Sequence, residues 1–239
     1  MAGCDMESQM SGISPQQVRL GFIRKVYGIV CAQVTATSIF AGACVAGPLR
    51  EPMVAFAQHR PGLLQWGTLI ASLLALLLCR VGKDRYPLNL VGLGLLTSVM
   101  AVDVGVISAM VSSIGLGMLV VEAALITGLL TAGLTLYTFR SKRDFSFLGA
   151  ALWPLLFALC CFSLLSVFFP SLRMGWMNLI VSFAGAAIFC GYIVFDTWRI
   201  CNELKVDDYV EGAIQLYMDI VNLFLYILRI LLEIAAKRD

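Results

Sequence analysis

Apolar residues fill seven long stretches of this chain, and polar residues are concentrated in the short segments between them. The stretches cover residues 26–47, 63–79, 88–111, 116–139, 147–169, 176–199 and 212–234. A transmembrane helix needs about 20 apolar residues to cross the hydrocarbon core, and each stretch approaches that length. Because the connections are short, the pattern predicts an all-α membrane protein, a seven-helix transmembrane bundle.

The last apolar stretch carries a stripe of polar side chains. Its members follow one another at intervals of three and four residues, which places them on one narrow face of a helix: Gln215, Asp219, Asn222, Tyr226, Arg229 and Glu233. Helices that lie on a membrane surface usually carry many lysines and arginines on the polar face, whereas this stripe has one arginine and two acids. Three placements fit the pattern: crossing the membrane, lying within the bundle, or turning back. We favour a central helix surrounded by the other six.

The composition places the whole chain in the membrane class. Of its 239 residues, 60% are hydrophobic and 13% are charged, and the mean hydropathy is +0.89. That leaves too little polar surface for a soluble domain of this size. We therefore expect a cytosolic N-terminal segment over residues 1–25 and one transmembrane domain over residues 26–239. A polar N-terminus followed by an apolar run of spanning length is not typical of a cleaved signal peptide.

The N-terminal segment contains a helix start. Ser14-Pro15-Gln16-Gln17 offers a capping serine, proline at the first helical position and a glutamine that returns to the cap. A short amphipathic helix is therefore predicted to lead into the first apolar stretch at Tyr27. Its basic residues Arg19, Arg24 and Lys25 are expected to face water and lipid headgroups.

Basic residues are distributed unevenly between the two sides of the predicted bundle. With the N-terminus in the cytosol, three lie on the opposite side, namely Arg50, Arg60 and Arg173. Eleven lie on the cytosolic side: Arg19, Arg24, Lys25, Arg80, Lys83, Arg85, Arg140, Lys142, Arg143, Arg199 and Lys205. Lysine and arginine accumulate on the cytosolic side of membrane proteins, so this distribution predicts a cytosolic N-terminus.

Two aspartates lie inside the last two apolar stretches, Asp196 in one and Asp219 in the other. A carboxylate in hydrocarbon costs on the order of 2.5–3.5 kcal/mol, so each is expected to face a protein interior or water. Two close carboxylates cannot both ionise cheaply, so we expect the pair to share a proton. When protonated, the pair holds its helices together; when deprotonated, the carboxylates repel each other and become hard ligands suited to calcium. The alternative for Asp196 is a side chain that reaches water beside Arg199.

Two further acids, Asp103 and Glu122, lie at matched distances from the uncharged turn between the third and fourth stretches. Asp103 is eight residues before Val111, and Glu122 is six residues after Leu116. At about 1.5 Å per residue both lie at a similar depth toward the luminal side, where they form a predicted luminal acidic site. The alternative is interhelical hydrogen bonding by the protonated acids.

Five segments carry a resemblance to a known family: Phe22–Tyr27, Leu134–Phe139, Ser141–Phe147, Asp196-Thr197 and Leu216–Phe224. Together they resemble the transmembrane Bax-inhibitor-motif family, in its lifeguard or Golgi anti-apoptotic branch, and they occur in the family's order. The resemblance covers the chain from about Val18 to Leu232. Its specificity comes from the combination of segments rather than from any one of them.

The resemblance implies a seven-helix fold with the last helix central, residence in the endoplasmic reticulum or Golgi membrane, calcium leak and suppression of cell death. In that family two aspartates on the last two helices share a proton and gate the pore. The matching positions are Asp196 and Asp219, which serve as pH sensor, gate and calcium ligands. The remaining pore stripe is then Gln215, Asn222, Tyr226 and Arg229.

No cofactor is expected, and calcium is the permeating ion. The expected partners are membrane lipids, calcium ions, and cell-death regulators or intracellular calcium channels, but no nucleic acid.

Three features depart from the family pattern. Phe195 and Trp198 stand where tyrosine and glutamine are common around the first aspartate. The second apolar stretch has no arginine that could contact the pair, whereas some relatives have one there. Met100 occupies a position often held by glutamate, and Asp103 lies about one turn away. The resemblance therefore supports the aspartate pair better than any particular gating contact.

Two other functions fit parts of the same pattern. Intramembrane aspartyl proteases also place two aspartates on adjacent helices, but their second aspartate usually follows Gly-x-Gly, and here it follows Leu216, Tyr217 and Met218. These bulky residues would block a substrate backbone, so we expect no enzyme.

A non-conducting membrane adaptor would use the acids only as interhelical contacts, worth about 0.6–2 kcal/mol each, and would act by binding channels or cell-death regulators.

Overall fold

The computed structural model describes residues 14–82, 87–141, 143–169 and 176–237, and the secondary structure of these ranges is helical, without a strand. The helices are α1 (Pro15–Ala46), α2 (Arg50–His59), α3 (Pro61–Val81), α4 (Leu88–Ser113), α5 (Gly117–Arg140), α6 (Ser146–Phe168), α7 (Trp176–Asn202) and α8 (Tyr209–Ala235), with a 3-10 turn at Val206–Asp208. The all-α prediction is confirmed. Seven of these helices coincide with the predicted stretches, and α2 lies in a segment that the pattern assigned to a connection.

Five helices in the described part of the chain, α1, α4, α5, α6 and α7, are long and apolar enough to cross a membrane. α3 contributes a shorter apolar stretch, Trp66–Val81. α8 is 27 residues long, but its polar stripe interrupts the apolar sequence. The chain is a multi-pass membrane protein.

The start of α1 follows the predicted cap. Ser14 Oγ accepts a hydrogen bond of 3.3 Å from the backbone N–H of Gln17, and the Gln17 side chain accepts one of 3.1 Å from the Ser14 N–H. These bonds satisfy backbone donors that the first turn of a helix leaves free. From this start α1 runs for 32 residues without a break between the predicted N-terminal segment and the first apolar stretch.

Two basic residues of α1 contact the connection between α7 and α8, and for Arg19, which is partly buried, this corrects the prediction that it faces water. Arg19 Nε donates a hydrogen bond of 2.8 Å to the carbonyl of Cys201, and its Nη1 donates to the carbonyl of Leu204. Carbonyls at the end of a helix lack partners within it, and a cation there also complements the helix dipole. Lys25 Nζ lies 3.2 Å from the ring centroid of Tyr209, at the start of α8.

The turn between α4 and α5 is tight and depends on a glycine. Gly115 has a φ of 84°, a left-handed conformation that a side chain would strain. Its N–H donates to the Ser112 carbonyl at 3.0 Å, and the Leu116 N–H donates to the Val111 carbonyl at 3.2 Å. The turn therefore places α4 and α5 as antiparallel neighbours, as the sequence predicted.

The core is built largely around α8, which packs against α1, α4, α5 and α7. Several of the largest fully buried side chains belong to α8 and its neighbour α7: Leu216, Tyr217, Leu223, Leu228, Ile193 and Ile200. Among the helices that the structure describes, α7 and α8 form the most extensive pair. Their interface also contains the two buried aspartates.

Candidate functional site

Asp196 on α7 and Asp219 on α8 meet in the interior of the bundle. Asp196 is 5% exposed and Asp219 is 7% exposed. Their side chains interact directly across the interface of α7 and α8, and Oδ2 of Asp219 forms no hydrogen bond with another described residue. A hydrogen bond between two carboxyl groups requires a proton on one of them. The structure thus brings together the two acids that the sequence singled out.

Arg199, one turn beyond Asp196, lies among three carboxylates. Its Nη1 is 3.6 Å from Asp196 Oδ1, its Nε is 3.6 Å from Glu203 Oε2, and its Nη2 is 3.7 Å from Glu211 Oε1. Nη1 also donates a hydrogen bond of 2.9 Å to Oε1 of Gln215. The guanidinium therefore links the end of α7 to the start of α8 beside the aspartate pair. Because Asp196 is buried, the alternative in which its side chain reaches water does not hold.

Hydroxyl groups tie α1 to both helices of the pair. The hydroxyls of Thr197, next to Asp196, and Tyr27 are 3.0 Å apart. Those of Tyr217 on α8 and Thr37 are 2.7 Å apart. Thr197 and Tyr217 are fully buried, so a relative movement of α7 and α8 would disturb bonds that both make with α1.

The middle of the polar stripe packs closely on α7. Asn222 turns back on its own helix and donates a hydrogen bond of 2.8 Å to the Met218 carbonyl. The ring of Tyr226 stacks on Phe189, with centroids 5.7 Å apart. Gly185 makes room for this ring, because a Cβ at that position would lie 2.5 Å from Tyr226.

The far end of the stripe is polar and open. The Arg229 guanidinium lies 5.5 Å from the Tyr226 ring centroid, and the residue is exposed. Arg229 and Glu233 line a cavity of about 170 Å³ together with Asn178 of α7. Along the helix axis Gln215 and Arg229 are about 21 Å apart, so the stripe covers most of the thickness of a bilayer core.

The two predicted luminal acids have different surroundings. Asp103, which is half-buried on α4, forms a hydrogen bond with Thr68 of α3. Glu122 is exposed on α5. Asp103 therefore contacts α3 through Thr68, and a shared luminal acidic site with Glu122 stays a prediction.

The aspartate pair offers few ligands for a bound metal ion. Within the described residues no three His, Cys, Asp or Glu side chains converge as metal ligands. Calcium takes about six to eight oxygen ligands, whereas two aspartates supply at most about four. A calcium ion at Asp196 and Asp219 would therefore keep part of its hydration shell and could leave again.

Sequence reasoning missed how far the ionic cluster around Arg199 extends. It considered Arg199 only as a neighbour of Asp196 and gave no role to Glu203 or Glu211. A local signal for both was present: Glu203 follows Arg199 at helical spacing, and Glu211 precedes Gln215 by four residues. What the spacing could not show is that the turn between the helices brings both acids to the same guanidinium.

A family model and several named proteins are similar in sequence to this chain. The family model described as "Inhibitor of apoptosis-promoting Bax1" matches residues 19–236. The chain is 38% identical to Protein LIFEGUARD 4 of Arabidopsis thaliana over 219 residues, which are 90% of this chain and 85% of the relative. It is 34% identical to Protein lifeguard 4 of Mus musculus, with 92% and 88% of the two chains covered. It is 33% identical to the Golgi anti-apoptotic protein of Vaccinia virus (strain Lister), with the same coverage.

Proposed function

Because the chain belongs to the family of inhibitors of apoptosis-promoting Bax1, we propose that it is a calcium leak channel of intracellular membranes that suppresses cell death. Calcium leaves the store passively through the bundle, and the lower store content protects the cell. The observation that carries this proposal is the buried contact between Asp196 and Asp219. Polar groups at membrane depth are costly and usually mark a path for ions or protons.

The aspartate pair is the gate in this proposal. At low pH a shared proton lets the two carboxyl groups hydrogen-bond and hold α7 against α8. At higher pH the proton leaves, and two charges repel each other across a contact of low dielectric constant. The freed oxygens can then coordinate a passing calcium ion. Leak therefore increases as the pH rises.

The position of Arg199 supports Asp219 as the residue that carries the shared proton. A nearby cation favours the ionised form of an acid, and the guanidinium lies 3.6 Å from Asp196. Asp219 forms no salt bridge with a described residue, and repulsion from the ionised carboxylate of Asp196 beside it favours its protonated form. Asp219 then donates the hydrogen bond that Asp196 accepts.

The proposed topology has seven crossing helices, with the N-terminus in the cytosol and α8 at the centre. The five apolar helices are joined by α3 and α8, while α2 lies in the connection before α3. The packing of α8 against four other helices supports its central position. Its stripe of Gln215, Asn222, Tyr226 and Arg229 lines the ion path, and Asp103 and Glu122 attract cations at the luminal side.

The names of the relatives support the compartment and the cellular role. The viral relative is named a Golgi anti-apoptotic protein, which states both a membrane system and an effect on cell death. We infer residence in the Golgi or endoplasmic reticulum membrane and a protective effect without catalytic activity.

A flux measurement tests the proposal. The purified full-length chain is reconstituted into liposomes that contain a calcium-sensitive dye, and calcium entry is recorded over a series of pH values. We expect a leak that rises with pH and loses this dependence in the double variant Asp196→Asn, Asp219→Asn. Folded protein that passes no calcium at any pH would contradict the channel and favour an adaptor that binds cell-death regulators or intracellular calcium channels.

A further inference from the structure

A long apolar groove runs between α1 and α5. It has a volume of about 650 Å³, and its floor is a face of α8 that includes Leu216 and Phe224. Its walls extend from Tyr27 to Ala46 on α1 and from Val120 to Thr135 on α5. At 1.5 Å per residue these walls are about 28 Å and 22 Å long, so the groove is long and narrow.

The groove is closed at its two ends and open along its side. At one end the rings of Tyr27 and Phe139 join α1 to α5, with centroids 5.5 Å apart. At the other end the Ser112 hydroxyl donates a hydrogen bond of 2.8 Å to the Val45 carbonyl, next to the start of α5. The outer edges, which include Gly42 and Gly128, are exposed. Since α1 and α5 both cross the membrane, the side opening faces lipid.

Small residues line both edges at spacings that normally bring helices together. They are Cys31, Thr35, Ser38 and Gly42 on α1, and Ala124, Gly128 and Ala132 on α5. In membranes such stripes usually let helix backbones approach closely. Here α1 and α5 stay apart between the contacts at the two ends, and the groove lies between them. An empty cavity of this size would forfeit dispersion contacts along both walls, so an occupant is expected.

Hydroxyl groups mark one end of the groove, where Thr135 lies beside the Tyr27 hydroxyl. Thr131 Oγ1 and Thr135 Oγ1 are buried and form no hydrogen bond of good geometry with another described residue, and Thr135 is only 9% exposed. The adjacent Tyr27 hydroxyl is already paired with Thr197. Arg24 precedes Tyr27 by one turn on the same face of α1. The groove is thus apolar for most of its length and polar, then basic, at this end.

We propose that the groove binds one acyl chain of a membrane phospholipid. The chain occupies the apolar length, its ester carbonyl accepts a hydrogen bond from Thr131 or Thr135, and its phosphate lies beside Arg24. Basic sites between membrane helices suit lipid phosphates in this way. A helix of a second protein does not fit, because a cylinder about 10 Å across and as long as the groove needs more than twice its volume. A sterol would leave Arg24 without an anionic partner.

Two glycines of α5 offer a matched pair of variants. Gly128 lines the groove and Gly133 does not, and an added Cβ at either position would meet no atom within 4 Å. Gly128→Trp places an indole in the groove, whereas Gly133→Trp adds the same side chain outside it. Gly42→Trp enters the groove from α1, where an added Cβ also meets open space, and replaces Gly128→Trp if that variant does not fold.

The full-length chain is reconstituted into phosphatidylcholine liposomes with a trace of phosphatidylcholine that carries a diazirine near the end of one acyl chain. After photolysis the adducts are mapped by peptide mass spectrometry. We expect wild-type adducts to be concentrated on the groove walls, and Gly128→Trp to lower them about tenfold or more because it excludes two or more methylene groups. Gly133→Trp should leave them unchanged.

Adducts spread evenly over all lipid-facing helices, or an equal effect of both variants, would overturn the proposal. A diazirine-labelled sterol that labels the groove and removes the phospholipid adducts would overturn it too, in favour of a sterol site. No calcium flux enters these readouts, so the result does not depend on the channel proposal.

Discussion

Asp196 and Asp219 are in contact across the interface of α7 and α8, and the Arg199 guanidinium lies 3.6 Å from Asp196. The two acids are therefore not equivalent, although they are buried to almost the same extent. Asp196 belongs to the ionic cluster around Arg199, which reaches the edge of the bundle. Asp219 interacts with Asp196 and has no place in that cluster. This asymmetry determines what each substitution should do.

The first prediction concerns the gate. Asp219→Asn keeps a hydrogen-bonding group of similar size but cannot ionise, so it should flatten the pH response. It should also lower maximal calcium flux, by up to about tenfold, because a calcium ligand is lost. Asp196→Asn should flatten the pH response with a smaller effect on maximal flux, since it lies closer to the cytosolic side.

The double variant should be no worse than Asp219→Asn alone, because the two carboxyl groups act as one unit. Liposome flux across the pH series is the measurement, with thermal unfolding as a check of the fold. Full pH dependence in the double variant would rule out the shared proton as the gate.

The second prediction uses the ionic cluster. Arg199→Gln removes the cation that favours ionised Asp196, so the pair should keep its proton to a higher pH. The midpoint of the flux–pH curve should rise by about one pH unit. This is the low end of the shift that a neighbouring charge causes, because Arg199 is partly exposed. Glu211→Gln removes a competing acid from the same guanidinium and should move the midpoint in the opposite direction. A midpoint that moves in the same direction in both variants, or that moves in neither, would contradict this role of the cluster.

The third prediction concerns the luminal acids. Replacing Asp103 by Asn and Glu122 by Gln should reduce calcium flux and leave the bundle folded, because two charges that attract cations are lost. Asn at position 103 can still hydrogen-bond to Thr68, which keeps the contact between α4 and α3. Single variants assayed at equal protein content separate the two positions. Unchanged flux in the double variant would leave both acids with a structural role only.

The fourth prediction is one of stability. Gly185→Ala puts a methyl group 2.5 Å from the Tyr226 ring, which is held between α7 and α8 by stacking on Phe189. The overlap should lower the free energy of unfolding by about 1–3 kcal/mol. Gly28→Ala is the matched control, because a Cβ there meets open space, and it should be neutral or stabilising by up to about 1 kcal/mol. Thermal unfolding in detergent compares the two, and similar melting temperatures would contradict this packing.

The fifth prediction is the orientation in the membrane. Cysteines introduced at Ser11 and Ser141 in a cysteine-free background should react with an impermeant thiol reagent from the cytosolic side only. The reason is the excess of basic residues in the segments that contain them. A cysteine at Ala236 should react from the luminal side if α8 crosses. Luminal labelling at Ser11 or Ser141 would reverse the orientation.

Local patterns in the sequence determined most of the helices and the identity of the paired acids. Seven apolar stretches became seven helices, and the Ser14 cap formed as its residue spacing indicated. The stripe from Gln215 to Arg229 runs along one side of α8, because side chains three and four residues apart share a face in any helix. Asp196 and Asp219 could be paired from sequence since each is the one aspartate inside its apolar stretch, where burial demands a partner.

Contacts between distant segments were decided only by the tertiary structure. The position of Arg19 in the chain suggests a water-facing residue, yet it binds carbonyls more than 180 residues away. Asp103 matches Glu122 in depth along the helices, yet its partner is Thr68 on α3. The groove between α1 and α5 opens where small residues would favour close packing. In each case helix periodicity sets the face on which a side chain lies, but the packing of the whole bundle sets which helix that face meets.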